Sequence, residues 1–171
     1  MATTTANQAA STSPVHRVDL AGVVHCAFGK VDVSTNVADG DIFQMCKVPA
    51  NAIVIGGAFW TSDMDTGTEA LDIDVGWADN GGASATLTDA TGTTWTNMSA
   101  GAADPDGFVN AGVLTGDAIT DLVASGNYRP FNMAAGPVYF SNGTTVQAEA
   151  NVAAATFTAG TMYVKVFYVI P

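Results

Sequence analysis

The chain has 171 residues, enough for one domain that folds without staples plus an extension. Hydrophobic residues make up 48% and charged residues only 12%, well below the ordinary charged share of ~25%; Ala, Thr, Gly, Ser and Asn fill the gap. Sixteen acids against five bases give a net charge of −11, and Arg17, Lys30, Lys47, Arg129 and Lys165 stand singly. A phosphate backbone needs clustered Lys and Arg, so no direct nucleic-acid partner is expected and a place away from packaged DNA is favoured.

Residues 1–17 are Ala, Thr, Ser, Asn and Gln with Pro14, too polar to order themselves by burial. Ordering costs ~1–2 kcal/mol of backbone entropy per residue. The segment is therefore expected to be an extended arm lying over a neighbouring protein, with an arm folded back on its own domain as the alternative. It lacks the basic start and apolar core of a signal peptide. No apolar run approaches the ~20 residues of a membrane-spanning helix.

From residue 18 to 171 the chain reads as one β-domain. Strands are expected over Val23 to Val33, Asp41 to Val48 and Ile53 to Trp60, separated by the turns Asp39-Gly40 and Pro49 to Asn51. The third is apolar throughout, as for a strand buried on both faces, and Gly56-Gly57 within it marks a bulge or a close backbone approach. Leu71, Ile73, Val75 and Trp77 alternate with Asp72, Asp74 and Gly76, which predicts one buried face and one wet, acidic face. Residues 86–88 and 93–98 are weaker strands, and 99–116 read as a Gly/Ala/Asp-rich loop around Phe108 and Val109. Asp117 to Ala124 is helix-like. Pro137 to Phe140, a Ser141 to Gly143 hairpin turn, Thr144 to Asn151, its continuation through Thr158, and Thr161 to Ile170 complete the series. Both faces of the last strand are apolar, so it is expected mid-sheet or covered by another subunit. This many strands without alternating helices predicts an all-β fold, an antiparallel β-sandwich of the jelly-roll kind.

Little chemistry is written in the sequence. There is no G-x-S-x-G elbow and no Gly-rich phosphate loop with its lysine. His16 lies in the arm. His25 and Cys26 are adjacent on a strand, so they point to opposite faces and do not share a metal. Cys26 and Cys46 sit in apolar runs and read as reduced core thiols, with a Cys26–Cys46 bridge as the alternative. Asp63, Asp65 and Glu69 are weak calcium candidates: carboxylates are hard ligands, but the loop fails the EF-hand pattern and Asp and Gly are ordinary turn formers. Asn97-Met-Ser99 and Asn142-Gly-Thr144 match the glycosylation sequon by chance. No enzymatic activity and no cofactor are expected.

From Val48 onward, KVPANAIVIG, SDMDTGTEALDIDVGWAD, DGFVNAG and TAGTMYVKVFYV occur in an order that resembles small structural proteins of tailed bacteriophages. The shared features are a proline-containing strand entry, an Asp-x-Asp-Thr-Gly-Thr hairpin, an alternating strand and a late Ala-Gly-Thr turn into the final strand. Residues 1–40 and, apart from DGFVNAG, 99–136 fall outside the pattern. The resemblance implies a capsid decoration (cement) protein, made in the host cytoplasm and placed on the outer capsid surface of the virion. Such proteins look like β-sandwiches that sit as homotrimers and tie neighbouring major capsid subunits together.

On that view the arm, with Thr3, Thr4, Asn7, Gln8 and Pro14, reaches across a seam to a partner. Tyr163, Phe167 and Val169, the second apolar face of the last strand, are expected to meet another copy. The competing reading is a glycan-binding domain of a head or tail fibre, with exposed Trp60, Trp77 or Trp95 as its platform.

Overall fold

The computed structural model describes residues 2–6, 9, 23–68, 70–82, 87–88, 94–95, 101–110, 128–134 and 136–171. Twelve strands lie within them: β1 (Thr3–Thr5), β2 (His25–Val33), β3 (Ile42–Val48), β4 (Ala52–Thr61), β5 (Asp72–Trp77), β6 (Leu87–Thr88), β7 (Thr94–Trp95), β8 (Asp104–Val109), β9 (Tyr128–Pro130), β10 (Val138–Phe140), β11 (Thr144–Val152) and β12 (Gly160–Val169). The helix-like stretch from Asp117 to Ala124 lies outside the described residues.

Two sheets form the sandwich. Sheet I runs β1-β3-β11-β5-β8, and sheet II runs β10-β4-β12-β2, with β9 also on β4; β6 and β7 pair only with each other. The ladders are antiparallel except for β1 on β3. Setting aside β1, β6, β7 and β9, eight strands remain. The first pairs with the last (β2–β12), the second with the seventh (β3–β11), the third with the sixth (β4–β10) and the fourth with the fifth (β5–β8). That nesting is a long hairpin rolled into two layers, which is a jelly roll.

The roll changes several local expectations. Ser141 to Gly143 is a turn, but the strands it joins belong to different sheets, so it is not a hairpin. Residues 104–109, read as loop, form β8. Pro105 is tolerated there because β8 is the edge of sheet I and needs no donor on its outer side. The sheet does not continue through Thr158: β11 ends at Val152, and Phe157 makes only an isolated bridge to Asp65. The left-handed residues Gly40 (φ 78) and Asn51 (φ 61) make the two predicted turns around β3.

Alternation places Phe43 and Val48 of β3, Ile73, Val75 and Trp77 of β5, Val146, Ala148 and Ala150 of β11, and Met162, Val164 and Val166 of β12 in one shared core. An aromatic group anchors one region of it. Phe108 stacks on Phe131 (4.5 Å between ring centres), and Trp77 meets Phe108 and Phe140 edge-on at 4.9 and 5.4 Å. The Trp77 indole N–H donates to the Ala102 carbonyl at 3.2 Å, so this buried ring carries no unsatisfied donor. Cys46 is buried in the core, whereas Cys26 is exposed; both are free thiols. The expected wet face of β5 is largely covered: Asp74 is only 6% exposed, and the Asn151 amide donates to it.

Gly76 shows how tightly β5 and β8 approach. A Cβ there would lie 1.8 Å from the Asp104 carbonyl oxygen, and backbone cannot yield as a flexible side chain can. Gly76→Ala is predicted to destabilise the fold by about 2–4 kcal/mol. Gly56→Ala, with no atom within 4 Å of its added Cβ, serves as the paired control in the same denaturant titration.

Candidate functional site

The candidate site is the outer face of sheet II. Period-2 alternation sends Met162, Val164, Val166 and Tyr168 of β12 into the core and Tyr163, Lys165, Phe167 and Val169 outward. Register then sets their neighbours. Tyr163 lies between Trp60 and Lys30, Lys165 between Ala58 and Phe28, Phe167 between Gly56 and Cys26, and Val169 beside Ile53. The run from Ile53 to Trp60 is thus buried on one face only; nothing in the described chain covers the other face. Phe28 (39%), Ile55 (40%) and Phe167 (40%) are among its most exposed large apolar side chains.

The predicted bulge is present. The β4–β12 register slips opposite Phe167/Tyr168, leaving Ile55 without a partner and turned outward. Gly57, next to it, is a close approach: a Cβ would meet the Lys165 carbonyl at 2.3 Å and the Phe131 ring at 2.5 Å. A larger residue there would push β4 away from β12.

The aromatic side chains form a connected group. Trp60 and Tyr163 stack in parallel at 5.3 Å (9° between planes), and Phe28 leans on both at 6.3 and 6.2 Å. The Lys165 ammonium sits over the Trp60 ring at 5.4 Å, a cation–π contact. Trp60 is therefore flanked by Tyr163 and Lys165, not presented as an open flat platform. Trp77 is in the core, and the Trp95 side chain lies outside the described residues. No pair of exposed indoles is found among the described residues.

At the edge of this face Lys30 and Asp32, two apart on β2 and so on one side, pair at 3.0 Å through both carboxylate oxygens. The Thr161 hydroxyl also donates to Asp32. The hydrogen bond from Lys30, then that from Thr161, holds the Asp32 carboxyl below the usual range, and the same contact raises Lys30. On the inward side of β2, His25 stacks on the buried Tyr168 at 5.3 Å, and its buried Nε2 has no partner among the described residues.

The start of the chain joins sheet I. Thr3 and Thr4 pair in parallel with Ile42 and Phe43, their side chains exposed. The Asp41 carboxylate accepts the N–H groups of Ala2 (2.8 Å) and Ala38 (2.9 Å), while Ala6 and Ala9 are buried. The donors from Ala38 and then Ala2 hold Asp41 below the usual carboxyl range. This part of the expected arm lies on its own domain; Asn7, Gln8 and Pro14 lie outside the described residues.

The acidic loop is organised around Asp65, which is 2% exposed. Its Oδ2 accepts from the N–H groups of Ala70, Leu71 and Ala155, and its Oδ1 from that of Thr156, at 2.7–3.0 Å. Asp63 accepts the Asp65 N–H at 3.1 Å. Asp65 thus ties the β4–β5 connection to the β11–β12 connection. Glu69 lies outside the described residues, among which no three His, Cys, Asp or Glu side chains converge to hold a metal.

No family model matches the chain, and no curated protein matches it. Solved structures do. A chain in the capsid of Ralstonia phage GP4 superposes with a TM-score of 0.67 at 18% identity, covering 99% of both chains. A chain of the cyanophage Pam1 capsid asymmetric unit gives 0.58 at 20% identity, over 96% of this chain and 95% of that one. A chain in the acid-stable capsid structure of Helicobacter pylori bacteriophage KHP30 gives 0.50 at 14% identity, over 89% and 91%. At these identities the shared property is the fold, over nearly the whole length of each chain.

The Asp65 clamp has a measurable consequence. Burial alone would push its carboxyl up, but the N–H groups of Thr156, Ala70, Ala155 and Leu71 together outweigh this and bring it below the usual range. A depressed carboxyl stabilises the fold above ~pH 4, and the contribution is lost as pH falls through the folded-state value. Asp65→Asn, which puts an amide donor against backbone donors, is predicted to cost about 2–4 kcal/mol at pH 7. The difference from the wild type should narrow as pH drops below ~4, as read by urea unfolding at each pH.

Proposed function

We propose that this chain is a non-enzymatic structural subunit of a bacteriophage virion that decorates the outer surface of the capsid and stabilises it by bridging neighbouring major capsid subunits. The observation that carries the reading is the fold likeness over 99% of both chains to a chain of the Ralstonia phage GP4 capsid, with two further phage capsid chains of the same fold. The order of turn and strand motifs from Val48 onward supports it independently. So does the net charge of −11, which suits a position away from packaged DNA.

The mechanism is contact area repeated over a lattice. A specific protein contact needs ~800 Å² per partner, and many copies engaging one shell gain by avidity. No chemistry at a bound substrate is required. The fibre reading finds less support, because Trp60 is already in contact with Tyr163 and Lys165 and Trp77 is in the core.

The test is co-sedimentation of the purified protein with phage heads assembled without it, followed by a heat or osmotic challenge. Saturable binding that raises the particles' resistance is expected. Heads that take up none of the protein and gain no resistance contradict the reading.

A further inference from the structure

The sandwich has two unlike outer faces. Sheet I is polar for most of its outer face: Gln44, Lys47, Glu149 and Asp72 are half-buried there, Gln147 and Asp74 are buried, and Val152 is an exposed apolar residue at its end. The Asp72 carboxyl is pushed up by burial and then by Asp74 beside it, as expected where acids crowd. Sheet II presents Phe28, Ile55, Trp60, Tyr163 and Phe167. Its one described outward carboxylate, Asp32, is engaged by Lys30 and Thr161, which leaves Lys165 as a net positive charge inside an aromatic patch. In a chain with sixteen acids and five bases, an outer sheet face of that sign is a local inversion.

We propose that the outer face of sheet II is the surface that seats on the phage shell, against a protein surface that offers apolar side chains and a carboxylate to Lys165. The carboxylate face of sheet I then points away from the shell. This orientation rests on the reading of the chain as a shell subunit. Charge complementarity selects the occupant. A second copy docked face to face would bring Lys165 against a like-charged patch and two chains of −11 together. A sugar ring would have to compete with Tyr163 and Lys165 for the Trp60 ring. An apolar protein surface with an acidic group meets both the aromatic cluster and the ammonium.

Cys26 gives a built-in reporter. It is exposed on this face opposite Phe167, whereas Cys46 is buried, with its thiol pushed up to about 12 by burial and then by the nearness of Cys26. The experiment measures the alkylation rate of Cys26 in the full-length protein, free and bound to heads assembled without it. Head affinity is measured alongside for Lys165→Glu, for Phe28→Ser/Phe167→Ser, and for the sheet I control Glu149→Gln, each variant first shown to melt like the wild type. We expect labelling to slow at least ~10-fold on binding, Lys165→Glu and the double Phe variant to weaken binding ~10-fold or more, and the control to bind normally.

Bound protein that labels at the free rate, or variants that bind as tightly as the wild type, overturns the orientation while the shell reading stands. Protection already present in free protein, at a mass above 17.4 kDa, assigns the face to a second copy and overturns the proposal. Wild type that fails to bind heads at all removes the shell reading and the orientation with it.

Discussion

The structure depends on the position of β12. It is an inner strand of sheet II, paired with β2 on one side and β4 on the other along almost its full length. A strand placed there must satisfy two ladders and still send alternate side chains to opposite faces. The inward set, from Met162 to Tyr168, fills the core between the sheets. No layer of the described chain covers the outward set. Tyr163, Lys165 and Phe167 are therefore partly or fully exposed, and the aromatic residues Phe28 and Trp60 on the flanking strands gather around them. Core and outer aromatic face are two sides of one strand.

The opposite sheet solves its outer face differently. Most of its outward residues are polar, and its free edge beyond β3 is occupied by the chain's own β1, held by main-chain hydrogen bonds and the Asp41 carboxylate. Pairing there depends little on side chains, since Thr3, Thr4 and Thr5 are all exposed. The loops between the sheets are fixed in turn by Asp65, whose four backbone donors come from two connections far apart in sequence. A buried carboxylate fully occupied by N–H groups rigidifies a loop, because each donor would otherwise be unsatisfied.

Much of this was legible in the sequence. Period-2 alternation located β5, β11 and β12, the turn residues located the ends of β3, and Gly56-Gly57 marked the bulge that the register confirms. The sandwich class followed from strand number and the absence of alternating helices. What was not legible was pairing. Ser141 to Gly143 reads as a hairpin because turn chemistry is local, while the jelly roll assigns the strands on either side to different sheets by long-range contacts. The apolar run of β4 reads as buried on both faces because sequence records hydrophobicity, not what covers it. Asp65 looked like one of three loop acids, and nothing local reveals that it collects donors from residues 70–71 and 155–156. Lys165 and Trp60 are 105 positions apart, so their contact belongs to the fold alone.

The most direct test of the account is a cryo-electron microscopy reconstruction of the intact particle at side-chain resolution. The account predicts this jelly roll repeated over the outside of the shell, with Phe28, Trp60, Tyr163 and Phe167 against shell protein and Glu149 on the side away from it. A shell that lacks the chain, or carries it only in the tail, would contradict the proposed role.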